Sequence, residues 1–462
     1  MSSTTKNPTR GYIILALDFL LFLTLLKFLP FAPMENRGLA LLIFIGILWL
    51  TEAFNITVTS LMVPILAIGL NVLPTKGAFA PFSEPIIFMF FGGFVMAAVM
   101  NIQKLDLWIA NHIIRLASGK LKLTIIYLFA ATAGLSLFIN NTAVAAMMLP
   151  LTLGILKKVD LKTNRALYVF VLLGIAFSAS IGGIGTLTGS APNAILASQL
   201  KITFAEWLFY GIPVTIILMI GMVLSLLAIL RPNFNVPFEI SLEEIPMTGK
   251  RKITLFVFVI TALCLIFGGW LEPLIRQALE LSNPIKNFDA VIAMTAVIAL
   301  CITNTAKWSE IQDRTEWGVL MLFGGGLVLG IVLKETGASK ILADTIVGYL
   351  GVQHWLVMTL LLTAFIVFLT EFTSNTATAA LMIPIFISVA EGLGLPPVSL
   401  AAIVACSASC AFMLPIATPP NAIVFATGYI KQSEMVKVGF LLNIVSTLAI
   451  GGLCYLFWIN WH

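Results

Sequence analysis

From residue 11 to residue 460 one apolar tract follows another, most of them 16 to 23 residues long, with hardly a charge inside them. Backbone buried in hydrocarbon must satisfy its own N–H and C=O groups, which leaves a lipid-embedded chain only helices or a closed barrel. Tracts of this length cross roughly 30 Å of hydrocarbon as helices and carry none of the two-residue alternation of barrel strands. Candidate crossings fall at 11–33, 38–53, 55–73, 85–100, 166–200, 208–230, 253–275, 288–303, 318–336, 398–430 and 438–460, eleven in all. With 60% hydrophobic and 10% charged residues, the 462-residue chain is far more apolar than a soluble core requires. It reads as an all-α polytopic membrane protein. The first 30 residues have a polar head and a long hydrophobic stretch without a small-residue cleavage site, so they read as a retained span.

Two further stretches, 123–156 and 356–390, are apolar on both sides of a polar centre and have no charged loop between their halves. They read as re-entrant hairpins, whose turns at membrane depth need protein or a water-filled cavity around them. Segments 101–122 and 334–353 alternate polar and apolar residues at helical period and read as interfacial helices. A cytoplasmic N-terminus puts eighteen of the 26 Lys and Arg inside, the bias that lysine and arginine show in cytoplasmic loops, and leaves the C-terminus outside. The polar stretch 231–252 is then a cytoplasmic linker. Cys264, Cys301, Cys406, Cys410 and Cys454 all lie in apolar tracts without metal or redox spacing and read as small fillers. Asp18, Lys27 and Asp289 are expected at the interface, and His112, His354 and His462 carry no metal or relay pattern.

The chain also contains the same pieces twice. Phe91-Gly92-Gly93 recurs at Phe323-Gly324-Gly325, "NNTAVAAMMLPL" at 140 recurs as "SNTATAALMIPI" at 374, and "SAPNAI" at 190 recurs as "TPPNAI" at 418. The offsets of 232, 234 and 228 describe one duplicated unit of about five crossings, and an odd number of crossings inverts the second copy. The organisation expected is an N-terminal span 1–36, a first repeat 37–230, the linker 231–252 and a second repeat 253–462. Hairpin tips from opposite sides then meet near the midplane beside helices broken at 185–193 and 417–421. Polar triplets alone could be interhelical glue; their inverted duplication argues for a central site of the kind secondary carriers build. The Phe-Gly-Gly pair reads as close packing. Glu371 has Leu137 at its matching place and reads as a structural acceptor rather than a cation ligand.

These motifs resemble the divalent anion/sodium symporter family, whose bacterial members carry succinate and related dicarboxylates and whose animal relatives carry citrate, dicarboxylates or sulfate. The most specific piece is "SCAFMLPIATPPNAIV" at 409–424, followed by the paired Asn-Thr hairpins, and the resemblance covers essentially the whole chain. It implies a homodimeric elevator with a fixed scaffold and a moving transport domain. It also implies that Asn141, Thr142, Ser190, Ser374, Asn375, Thr376, Thr418 and Pro419 bind the substrate carboxylates. One sodium ion would sit among Ser136, Asn141 and Gly189, and its mate among Thr370, Thr373, Asn375 and Ala417. Asn140 replaces the serine that commonly leads the first motif, and takes part either in the first sodium site or in substrate contact.

The motifs contain no Lys, Arg or His, so amide and hydroxyl donors, helix N-termini and bound cations must neutralise a dianion. Sodium in place of a fixed arginine makes the anion site strong only when the ion is present, which couples the two gradients. The expected activity is sodium-coupled uptake of a small dicarboxylate, with succinate, malate and fumarate ahead of citrate and sulfate. Exchange of dicarboxylates and proton coupling are rivals within the carrier class, and an anion channel is the rival outside it, although channels build rings around a pore axis. No HExxH, GxGD or nucleophile–histidine pair suggests an enzyme, and no organic cofactor or nucleic-acid partner is implied.

Overall fold

The computed structural model describes residues 8–117, 120–157, 159–236, 244–350 and 354–459; His462 lies outside them. Among the described residues all regular structure is helical. The chain begins with α1 (Pro8–Phe28), α2 (Pro33–Thr51), α3 (Ile56–Gly69), the short α4 (Thr75–Phe79) and α5 (Pro85–Ile102). Then come α6 (Leu105–Arg115), α7 (Leu121–Ser136), α8 (Asn141–Leu156), α9 (Arg165–Ile184), α10 (Ala191–Leu200) and α11 (Phe204–Leu230). The second half runs α12 (Gly249–Ile266), α13 (Gly268–Ala278), α14 (Phe288–Ile302), α15 (Trp308–Arg314), α16 (Trp317–Thr336) and α17 (Ala338–Leu350). It ends with α18 (Trp355–Thr370), α19 (Asn375–Gly392), α20 (Pro397–Ala408), α21 (Pro419–Phe425) and α22 (Gln432–Leu453).

Local chemistry sets these boundaries. Proline sits in the first turn of α2, α5, α10, α20 and α21, where its missing N–H has no helical partner to lose. Thr203 and Glu206 cap α11 reciprocally: the Glu206 N–H donates to Thr203 Oγ1 at 3.2 Å and the Thr203 N–H donates to Glu206 Oε2 at 2.7 Å. Both expected hairpins are present as pairs of helices, α7–α8 and α18–α19, each joined by a four-residue reversal. At 1.5 Å per residue the 16 residues of α7 or α8 reach about 24 Å, short of a full crossing. Both expected broken helices are broken where Gly and Pro cluster, between α9 and α10 and between α20 and α21.

Among the described residues eight helices are long and apolar enough to cross a membrane, or nine if the bent pair α12–α13 counts as one. That pair corrects the span expected at 253–275. The helix stops at Ile266, and after Phe267 the chain turns by 94° into α13. Gly268 and Gly269 weaken the junction, and α13 exposes Trp270 and Leu274 on an amphipathic helix suited to the interface. Asp18 is a second correction. Because α1 starts at Pro8, Asp18 lies mid-helix on the stripe with Phe22 that packs against α2, and it is 3% exposed. Asp289 is engaged rather than free at an edge: its carboxylate accepts the Phe204 N–H at 2.8 Å.

Helix α9 is buried along its whole length among α7, α8, α11 and α21, as its lack of a polar face requires. Its start is tied to that of α22 by Arg165, which donates to both oxygens of Glu434 at 2.5 and 2.8 Å and to the Tyr429 carbonyl at 3.0 Å. A second group packs α5 along α14 and α3 along α16. The two pairings match in detail. A Cβ on Gly92 would lie 2.6 Å from Ala293 Cβ and 2.9 Å from its carbonyl, and one on Gly325 would lie 2.6 Å from the Ser60 carbonyl. The glycines therefore permit close helix approach.

Gly92→Leu should force α5 off α14 and lower stability by about 1–3 kcal/mol, read as a lower unfolding temperature in detergent. Gly134→Ala, at a position where a Cβ meets nothing within 4 Å, serves as the unaffected control. Equal melting of the two variants would contradict this packing.

Candidate substrate and cation site

Both hairpin tips and both helix breaks open onto one cavity of about 1080 Å³. All eight residues expected to contact substrate line it: Asn141, Thr142, Ser190, Ser374, Asn375, Thr376, Thr418 and Pro419. Asn140, Gly189, Thr373 and Ala417 line it too, while Ser136 and Thr370 are wholly buried behind Asn141 and Asn375. The starts of α8, α10 and α19 all reach this wall, so unpaired N–H groups and the positive ends of helix dipoles face the cavity. The hydroxyls of Thr142, Ser374 and Thr376 make no hydrogen bond among the described residues and face no internal competitor.

Behind each tip is a cluster rich in oxygen. Ser136 Oγ lies 2.6 Å from the Asn141 side-chain amide and 2.6 Å from the Ala179 carbonyl, to which it donates. Thr370 Oγ1 repeats the arrangement, 2.8 Å from Asn375 Oδ1 and 2.9 Å from the Ala408 carbonyl. The Asn141 NH₂ sits among the same oxygens, donating to Ala179 O at 3.1 Å, Gly189 O at 3.3 Å and Ser136 Oγ at 2.6 Å. Converging neutral oxygens are what a hard monovalent cation takes as ligands, so these donor sets fit sodium. Gly189 must be glycine, since a Cβ there would lie 2.6 Å from the Gly183 carbonyl and 2.8 Å from that of Ser136. The Thr373 hydroxyl is held by Thr378 at 2.6 Å and by the Leu369 carbonyl at 3.0 Å, which leaves its backbone for any ligand.

Asn193 and Asn421 hold the breaks open. The Asn193 amide donates to the carbonyls of Gly183, Ile184 and Thr186 at 2.9, 3.1 and 2.8 Å. Asn421 donates to those of Ala411 and Leu414 at 3.0 and 3.1 Å. Each reaches back ten and seven residues, so the asparagine of each Pro-Asn pair satisfies carbonyls that the broken helix has released. Across the centre, Ser190 Oγ and Ser409 Oγ are 3.0 Å apart and join the two breaks. Glu371 is a structural acceptor, as expected from its unmatched twin. Its carboxylate takes the N–H groups of Phe412, Met413 and Leu414 at 2.7, 2.9 and 3.1 Å and the Asn443 amide at 2.8 Å.

The sequence reading gave no role to Asn193, Asn421, Ser409 or Asn443, although Ser409 and Asn421 stand in its most specific motif. The first two were visible as the shared Pro-Asn of the duplicated breaks. It also passed over Arg10, which is the sole Lys, Arg or His lining the cavity among the described residues. Arg10 comes from α1, outside the duplicated unit, so no pattern pointed to it.

A family model described as a citrate transporter matches residues 46–394 and 372–461. The sodium-dependent dicarboxylate transporter SdcS of Staphylococcus saprophyticus is 34% identical over 489 residues, covering 97% of this chain and 93% of that protein. An uncharacterized transporter of Haemophilus influenzae is 55% identical over 448 residues, 97% of each chain. In fold, the chain is similar to the YdaH transporter of Alcanivorax borkumensis, with TM-score 0.58 and 15% identity over 92% of this chain and 99% of that one. It is likewise similar to MtrF of Neisseria gonorrhoeae, with TM-score 0.59 and 13% identity over 99% and 96%.

Glu371→Gln replaces one of the accepting oxygens by a donor facing N–H groups and should lower stability by about 1–3 kcal/mol, measured as the unfolding temperature of the purified protein. Glu371→Leu, which copies the first hairpin, leaves all four donors without their acceptor and should be worse. A Glu371→Gln protein that melts like wild type would remove the clamp.

Proposed function

The chain belongs to the citrate transporter family, and we propose that it is a secondary carrier that couples inward sodium movement to uptake of a small dicarboxylate of the succinate, malate or fumarate type. It is an integral membrane protein, and its family and relatives are transporters, not enzymes. The resemblance drawn from the hairpin and break motifs is borne out by relatives named sodium-dependent dicarboxylate transporters. The observation that carries the reading is the pair of oxygen clusters, Ser136–Asn141–Ala179 O and Thr370–Asn375–Ala408 O, set behind two hairpin tips on one cavity.

In this reading each cluster takes one sodium ion, with Gly189 adding a carbonyl to the first and Thr373 and Ala417 adding backbone oxygens to the second. Asn140 caps α8, its side-chain oxygen accepting the Thr142 N–H at 2.8 Å, and so shapes the first hairpin turn rather than ligating an ion. The dianion lies between the tips, held by the amide and hydroxyl donors of Asn141, Thr142, Ser190, Ser374, Asn375, Thr376 and Thr418 and by the adjoining helix starts, with Pro419 shaping the wall. Asn141 and Asn375 each serve ion and anion. Binding one ligand therefore presets the amide for the other, which is the coupling.

The repeated hydrogen-bond patterns support two copies of one unit, inverted by their odd number of crossings and exchanging access as an elevator within a homodimer. With the N-terminus cytoplasmic, the cavity wall formed by Arg10 and Gly11 of α1 lies on the cytoplasmic side. Citrate is the second candidate substrate, since the matching family model is described by it.

Purified protein in liposomes should take up labelled succinate under an inward sodium gradient and not under choline or a proton gradient alone. Saturation with substrate separates a carrier from a channel, and crossing succinate with citrate and sulfate ranks the substrates. Undiminished uptake in choline would refute sodium coupling. Asn141→Ala and Asn375→Ala should each reduce uptake by at least roughly tenfold, the loss of about 1.4 kcal/mol or more, while melting near wild type; normal transport in either would overturn the roles assigned.

A further inference from the structure

The two hairpin tips and the two breaks carry residues at matching positions, three of them apolar and the fourth a threonine that packs by its methyl, in opposite surroundings. Phe138 and Phe372 lie 234 residues apart in the tips, and Thr188 and Ile416 lie 228 apart in the breaks. Phe138 packs edge-on to Phe258 of α12, with centroids 4.9 Å apart and planes at 84°, and beside Phe204 at 6.4 Å. Thr188 is 8% exposed and rests its methyl on α5, where a Cβ on Gly93 would lie 2.7 Å away. The second pair does neither. Phe372 is 75% exposed and Ile416 84% exposed, and both stand in the wall of the polar cavity. Bare apolar side chains over a polar cavity are unfavourable by the hydrophobic effect, whereas their counterparts are seated against α5 and α12.

The helix packing indicates where a second seat would be. Gly92 rests on Ala293 of α14 and Gly325 on Ser60 of α3, so the α5–α14 and α16–α3 pairs correspond at an offset of 233 on both partners. At that packing register, one residue beyond the 232 offset of the Phe-Gly-Gly motif, the counterpart of Gly93 is Gly326 on α16. A Cβ on Gly326 would meet nothing within 4 Å. The third glycine in "FGGG" at 323–326 thus provides the same small-residue surface that Thr188 uses on α5.

We propose that Phe372 and Ile416 form the apolar seat of the second hairpin, docking on α16 around Gly326 in the opposite-facing conformation as Phe138 and Thr188 now dock on α5 around Gly93. This rests on the inverted-repeat carrier reading above. Each conformation is then held by one docked pair while the other pair opens the cavity, and the carrier exchanges one apolar contact for its twin.

The test uses the full-length chain in liposomes, with Cys264 and Cys301, the two partly exposed cysteines, replaced by alanine. Phe372→Cys is then labelled with a maleimide in the absence of any transported solute. Adding Gly93→Leu pushes Thr188 off its seat and should slow labelling at least about fivefold by shifting the population, whereas adding Gly326→Leu blocks the second seat and should leave labelling as fast or faster. If Gly93→Leu does not fold, Phe138→Ala empties the same seat and should slow labelling in the same direction. Labelling that responds identically to both changes, or that Phe138→Ala leaves untouched, would overturn the proposal. Because labelling reads exchange without solute, failure of sodium-dependent uptake refutes the function proposed above and not this contact.

Discussion

Everything at the centre of this molecule depends on what happens when a helix is interrupted at membrane depth. Each interruption releases carbonyl and N–H groups into surroundings where water cannot be counted on, and every released group needs a named partner. Asn193 and Asn421 supply that partner for the carbonyls, each by one amide spread over two or three acceptors. With the carbonyl side satisfied, the N–H side of the first break is left at the cavity, whereas in the second Pro419 and Pro420 carry no N–H and Thr418 Oγ1 takes that of Asn421 at 3.3 Å. Polarity of this kind costs the fold little because the compensation comes from within three turns of the same chain.

The two halves reach this state by unlike means. In the first, Thr186 donates its hydroxyl to the Leu137 carbonyl, a neutral contact between break and hairpin. In the second, the residue at the position of Leu137 is Glu371, and its carboxylate gathers three backbone N–H groups and an asparagine. A charge-assisted clamp is the stronger of the two. The second break is therefore fixed more rigidly to its hairpin than the first, and the two oxygen clusters differ in stiffness although their hydroxyl, amide and carbonyl groups correspond one to one.

The hairpins, the breaks and the polar residues of both tips were legible in the sequence because unwinding leaves a composition mark. Gly, Pro, Asn and Thr inside an apolar tract have few other uses, and their duplication removed most of the ambiguity. Position within the membrane was less legible. The bend after Phe267 follows from two glycines that, read alone, look like ordinary packing glycines of a span, and only the exposure of Trp270 and Leu274 separates α13 from α12. Asp18 was misplaced because α1 already runs as a helix from Pro8, ahead of the apolar tract, which puts Asp18 well inside it. Arg10 could not be found at all: its arrival at the cavity depends on Gly11 meeting the Ala53 carbonyl, a contact with no periodic signature.

Ser190 Oγ and Ser409 Oγ, 3.0 Å apart, tie the two breaks together across the centre. Neither break can shift alone without parting that pair, so the interrupted helices move as one body if they move at all.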